Sequence, residues 1–183
     1  EELKADNKIY LCMSSASRAA EWELALKKKF PNKKIKLYSR GEGKEIENVR
    51  KTWSELDLVM TTTTITVGIN FDLSHFDKCY MSFSSRAKNS VVDLFQCHYR
   101  VRHLRKQQLV VHIVDEPERV ACGEDQIMED LKWFESHKIE LYNQFELAPD
   151  YLKKLLCYNQ IERNLSVARL TNCVFAFLQE CNY

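Results

Sequence analysis

Gln96, Arg100 and His103 stand at i, i+4 and i+7 in the stretch NSVVDLFQCHYRVRHLR, so a helix capped by Asn89 or Ser90 and running to about residue 103 sets all three on one face. A guanidinium held at fixed height on such a helix forks onto phosphate oxygens and keeps its charge under desolvation. That mounting is what a group needs if it is to stabilise charge on a transferring phosphoryl group. A solvated basic helix end accounts for the same residues, with Arg102, Arg105 and Lys106 complementing the helix dipole.

Upstream lies TTTTITVGINFD. Four threonines at the carboxyl end of a strand offer hydroxyls and backbone N–H groups to a phosphate chain. Gly68 permits a close approach, or a positive φ that a side chain forbids, and Asn70 is placed to hydrogen-bond a ribose. A β-rich strand with surface threonines is the plainer reading. Ser14 and Ser15, and Ser39 with Arg40, end two other strands at the same sheet edge, so that together with the threonines they outline a rim suited to phosphates.

These residues need a scaffold, and the pattern up to Glu116 supplies one by alternating strand and helix. The runs 8–15, 34–39, 56–64, 78–85 and 108–116 are β-rich, the last three apolar on both parities, which points to strands covered on both faces. Residues 17–29 place Ala20, Trp22, Leu24 and Leu26 on an apolar helical side, and residues 44–54 place Ile46, Val49 and Trp53 on another. Strands alternating with helices imply a parallel sheet with right-handed crossovers and ligand sites at the carboxyl ends of its strands. Beyond Pro117 the alternation stops. Residues 125–138 and 161–178 have helical periods, and Pro149 with Asp150 opens a further helix carrying Tyr151, Leu152, Leu155 and Leu156. The expected organisation is an α/β unit over 1–117 and a small all-helical extension over 118–183.

The chain has 183 residues, 45% of them apolar, enough for one core with or without an annex. Its net charge of +1 hides a basic front half and an acidic remainder. The basic half is compatible with phosphate-backbone contacts, although scattered lysines also make an ordinary solvated surface. The opening EELKADNKIY is acidic where a secretory leader is basic and then apolar, and apolar runs are short, so a soluble protein without membrane contact is expected. Cysteines 12, 79, 97, 122, 157, 173 and 181 form no C-x-x-C pair and no zinc-like cluster, which points to buried reduced thiols, an intracellular protein and no metal site.

The block ITVGINFDLSHFDKCYMSFSS, followed by VVDLFQCHYRVRHL, resembles motifs V and VI of superfamily 2 helicases, most closely the replication origin-binding proteins of herpesviruses and other large DNA viruses. The resemblance spans residues 8–116 as a second RecA-like domain, with KIYLCMSS standing where motif IV lies. It implies that Arg100 is an arginine finger and Gln96 the motif VI glutamine, with Arg102 one place before the usual second arginine. It implies that Gly68 and Asn70 face nucleotide, and that Ser14, Ser15, Ser39, Arg40, Thr62 and Thr63 contact single-stranded DNA. ATP and Mg2+ would be held mainly by an N-terminal RecA-like domain of a longer parent chain, with other replication proteins as further partners.

Three departures stand out: Asn70 replaces a frequent Asp, Tyr99 replaces the usual Gly before the finger, and His103 occupies the position of the second arginine. The glycines at 41, 43, 68 and 123 cannot form G-x-x-x-x-G-K-[ST], and Asp115 and Glu116 end a strand without a DEAH-like context after them, so the segment alone is expected to be inactive on ATP. Two other classes stay open. One is a non-catalytic α/β module that docks a replication partner through its acidic helical part. The other is an unrelated α/β enzyme such as a transferase, for which no acid/base pair or nucleophile can be picked out.

Overall fold

A computed structural model describes residues 1–39, 48–63, 69–116, 119–136 and 149–181, with side chains undescribed over 131–136. Arg40, Gly68 and the start of the expected helix over 44–54 lie outside the described residues. The elements are β1 (Ile9–Met13), α1 (Ala16–Lys29), β2 (Ile35–Tyr38), α2 (Val49–Ser54), β3 (Leu58–Thr62), β4 (Lys78–Ser84), α3 (Val91–His98), β5 (Gln108–Val114), α4 (Glu124–Ser136), α5 (Asp150–Ala168) and α6 (Leu170–Glu180). The strands form one sheet in the order β2-β3-β1-β4-β5, and every pair is parallel. This is the expected α/β sheet followed by a helical C-terminal part.

Strand alternation divides the core in two. Ile9, Leu11, Met13, Leu58, Met60, Ile35 and Leu37 face one side, where Ala19, Leu26 and Phe30 from α1 and its end cover them. Tyr10, Cys12, Val59, Cys79, Met81 and Phe83 face the other, under α2, α3, the connection Ile69–Phe76 and α6. Trp53 is fully buried there, its ring within 6.4 Å of the centroids of Tyr10, Tyr38, Phe71 and Phe76. Covering both faces explains why the central strands are apolar on both parities.

Several local expectations are corrected. The inward stripe of α1 is Ala19, Glu23, Leu26 and Phe30, whereas Ala20, Trp22 and Leu24 are exposed. Glu23 belongs inside because its carboxylate accepts the Leu37 N–H of edge strand β2 at 3.0 Å. β5 is the opposite edge, and all its residues are half-buried or exposed, so it is not covered on both faces. The run 161–178 is two helices, broken at Arg169. There the Asp115 carboxylate accepts the Thr171 N–H at 3.1 Å and its hydroxyl at 2.6 Å, starting α6 afresh from the end of β5. α6 then inserts Leu170 and Val174 into the sheet core.

Candidate functional site

The described residues of the expected rim lie at the carboxyl ends of β1, β2 and β3. Met13, Thr62 and Ser82 are level across β1, β3 and β4, so Ser14 and Thr63 are the next residues outward on their strands. Ser14 is buried, 8% exposed, and its hydroxyl accepts the Ser84 N–H at 2.9 Å. Ser15 caps α1 by accepting the Arg18 N–H. Ser39 follows β2 and is half-buried. Thr63 is half-buried, and its Oγ1 accepts from Asn89 Nδ2 at 3.0 Å. Ser90, next to Asn89, caps α3 by accepting the Asp93 N–H at 3.1 Å. The positive ends of α1 and α3 therefore both begin at this rim. Thr62 does not share its accessibility, since it is only 2% exposed, and Thr61 is fully buried with its hydroxyl donated to Tyr10 Oη. Of the expected threonine contacts, Thr63 is the accessible one.

The arginine is mounted differently from the expectation. α3 ends at His98, and the Arg100 and Val101 N–H groups close tight turns onto the Cys97 and His98 carbonyls. The chain leaves the helix because Val101 pairs with Phe71: the Phe71 N–H donates to the Arg100 carbonyl at 2.8 Å, and the Arg102 N–H donates to the Phe71 carbonyl at 3.1 Å. Gln96, Arg100 and His103 consequently do not share a helical face. Arg100 is fixed instead by two bonds from its own guanidinium, Nε–H to the Gln96 carbonyl at 3.0 Å and Nη1–H to the Ile69 carbonyl at 3.1 Å. These place it against the connection that returns from β3 to β4, not at a strand's carboxyl end.

Alternation along this bridge sorts its residues. Ile69, Phe71 and Val101 are buried, Asn70 and Arg102 are exposed, and Gln96 and Arg100 are half-buried. Beside them opens a groove of about 1020 Å³ lined by Tyr99, Arg100, Arg102, His103 and Arg105 among others. Arg105 is held by its Nε–H to the Ser74 carbonyl at 3.1 Å. The groove is cationic, and Arg100 and Arg105 are anchored through part of their N–H complement, leaving the remaining donors for an anion. His98 borders it, yet burial lowers its pKa to about 4, so it is neutral at pH 7 and takes no charge to an anion. Burial pushes the Cys79 and Cys97 thiols beneath it upward, which keeps them protonated.

Two features of the candidate site escaped sequence reasoning. The Ile69 carbonyl that anchors Arg100 is a backbone acceptor brought in by a long-range pairing, for which sequence carries no local signal. Asn89 had a signal, an amide side chain just before a helix, but Ser90 takes the capping role that the signal suggested.

Comparison with known proteins sharpens the assignment. A putative helicase/primase complex protein of African swine fever virus (isolate Tick/Malawi/Lil 20-1/1983) is 31% identical over 112 residues, 58% of this chain and 10% of that protein. The replication origin-binding protein of human herpesvirus 7 (strain JI) is 28% identical over 114 residues, 62% of this chain and 14% of that protein. The chain thus spans only about a tenth to a seventh of these relatives. Among solved structures, the C-terminal part of the Fun30 ATPase domain overlays with a TM-score of 0.44 at 11% identity, covering 62% of this chain and 36% of that one. The DUF1998 helicase MrfA bound to DNA and AMPPNP gives 0.40 at 18% identity, covering 73% and 18%. Those scores are too low to bear on function, so the assignment rests on sequence. Residues 1–125, more than half of the chain, match the family described as origin of replication binding protein, and the chain belongs to that family.

Proposed function

We propose that this chain is the second RecA-like part of an ATP-dependent DNA helicase motor used in viral DNA replication. Arg100 carries the reading: a guanidinium braced by the Gln96 and Ile69 carbonyls, with N–H groups to spare, beside exposed Asn70 and Arg102. Bracing a cation in this way removes the entropy cost of ordering it at the moment of reaction, which suits a group that acts on transition-state charge. ATP with its Mg2+, held chiefly by a neighbouring domain, supplies the phosphoryl group. Gln96 orients Arg100 through its carbonyl, and Asn70 and Arg102 border the nucleotide with the segment at Gly68. The rim of Ser14, Ser15, Ser39 and Thr63, with Arg40, holds the backbone of single-stranded DNA, and the replication machinery of an infected cell is the setting.

The test is strand displacement by the full-length protein on a duplex with a single-stranded tail. ATP-dependent unwinding that a non-hydrolysable analogue fails to support is the expected result. A second reading, a docking module without motor function, draws support from Tyr151, Leu155 and Tyr158, each more than half exposed along α5. Absence of any ATP-dependent unwinding would favour that reading.

A further inference from the structure

We propose that Asn89 is a positioning residue for single-stranded DNA, fixing the Thr63 hydroxyl so that its proton points outward to a phosphate oxygen. The inference rests on the reading of the strand rim as a DNA track and gives that track its hydrogen-bond polarity. A hydroxyl has one proton and two lone pairs and otherwise rotates freely. Asn89 Nδ2 donates into Thr63 Oγ1 at 3.0 Å, so the oxygen is occupied from the scaffold side and the proton is left to donate elsewhere. Thr61 and Thr62 are buried, which makes Thr63 the hydroxyl that the end of β3 presents at the rim among the described residues.

The same polarity recurs on the neighbouring strand. Ser14 Oγ takes the Ser84 N–H at 2.9 Å, again filling the oxygen from the scaffold. The Ser14 hydroxyl, one residue beyond a position level with Thr62, therefore has the same polarity, but Ser14 is buried and Thr63 is the more accessible of the two. A nucleic-acid backbone presents phosphate oxygens that only accept, so it complements the half-buried Thr63 hydroxyl. Asn89 also keeps a carbonyl oxygen buried with no donor among the described residues.

Anisotropy of a fluorescein-labelled oligothymidylate titrated with this chain tests the inference. Thr63→Val removes a hydrogen bond to a charged group and is expected to weaken binding roughly tenfold. Asn89→Asp reverses the polarity, because a carboxylate draws the Thr63 proton inward, and it should lose at least as much. Asn89→Ala frees the rotor and should weaken binding roughly threefold. In the Thr63→Val background, Asn89→Ala should have no further effect, since nothing remains to be positioned. An Asn89 with a merely structural role would instead lower the melting temperature and weaken binding equally in both backgrounds, and that result overturns the inference. It is also overturned, with the DNA track left standing, if Thr63→Val weakens binding while both Asn89 variants bind like wild type. If the wild-type chain does not bind the oligonucleotide, the track reading fails and the inference falls with it. Should Asn89→Asp not fold, Asn89→Ala and its cycle with Thr63→Val decide by the same criteria.

Discussion

Phe177 of α6 stacks on Phe95 of α3, with ring centroids 4.4 Å apart and planes inclined by 18°. Phe95 is fully buried and also meets Phe83 of β4 edge-to-face, so the stack continues from the sheet through α3 into the C-terminal helices. With Leu170 and Val174 in the same core, α6 is a structural layer of the α/β unit. Phe177→Ala should therefore lower stability by about 2 kcal/mol, less than a fully buried Phe because the ring is half-exposed. Urea unfolding followed by circular dichroism measures this, and an unchanged midpoint would mean that α6 contributes little to the fold.

His98 gives the protein an acid-sensitive element. Its folded pKa of about 4 lies below the ordinary value of 6.5 because burial penalises the imidazolium, and its Nδ1 faces the Cys79 thiol at 3.3 Å rather than a carboxylate. Above pH 6.5 the ring is neutral in both states and stability is intact. As pH falls from 6.5 towards 4, the unfolded chain takes up a proton that the folded chain refuses, and up to about 3 kcal/mol is lost. His98→Gln should flatten that window in melting experiments. Asp57, whose burial is outweighed by the Lys8 ammonium and the Lys34 N–H, loses its contribution only below the ordinary carboxylate range, so the two effects separate. A wild-type profile that is flat between pH 6.5 and 4 would contradict the burial argument.

The sheet was legible because its central strands are apolar on both parities and its helices begin at Ser15 and Ser90, residues that cap for a local reason. What was not legible involves partners distant in sequence. The i+4 spacing of Gln96 and Arg100 suggested a longer helix, and the two do touch, but the Phe71–Val101 bridge ends α3 first. The break at Arg169 has no Gly or Pro to announce it and depends on Asp115, more than fifty positions away. Periodicity put Trp22 and Leu24 inside, whereas the inward position goes to Glu23, whose carboxylate serves an edge strand that composition cannot identify. At the rim, serine and threonine types were readable, but accessibility was not, which is why Thr62 and Thr63 proved unequal.

The thiols offer an independent check on the core. Cys12, Cys79, Cys97 and Cys157 are at most 2% exposed, while Cys122, Cys173 and Cys181 are half-exposed. Burial keeps Cys79 and Cys97 protonated, so an alkylating reagent at pH 8 should label Cys122, Cys173 and Cys181 first and reach the buried four only on unfolding. Peptide mass spectrometry over a time course resolves the order. Early labelling of Cys97 would mean that α3 does not pack as described.

Steady-state ATP hydrolysis by the full-length protein, with saturating single-stranded DNA, tests the role of Arg100 most directly. Arg100→Ala should lower kcat by roughly a thousandfold, as for a group acting on the transition state, while DNA affinity stays within about twofold. Arg100→Lys should fall nearly as far, because an ammonium cannot hold both carbonyl braces and still fork onto phosphate. Turnover unchanged in Arg100→Ala would contradict the assignment.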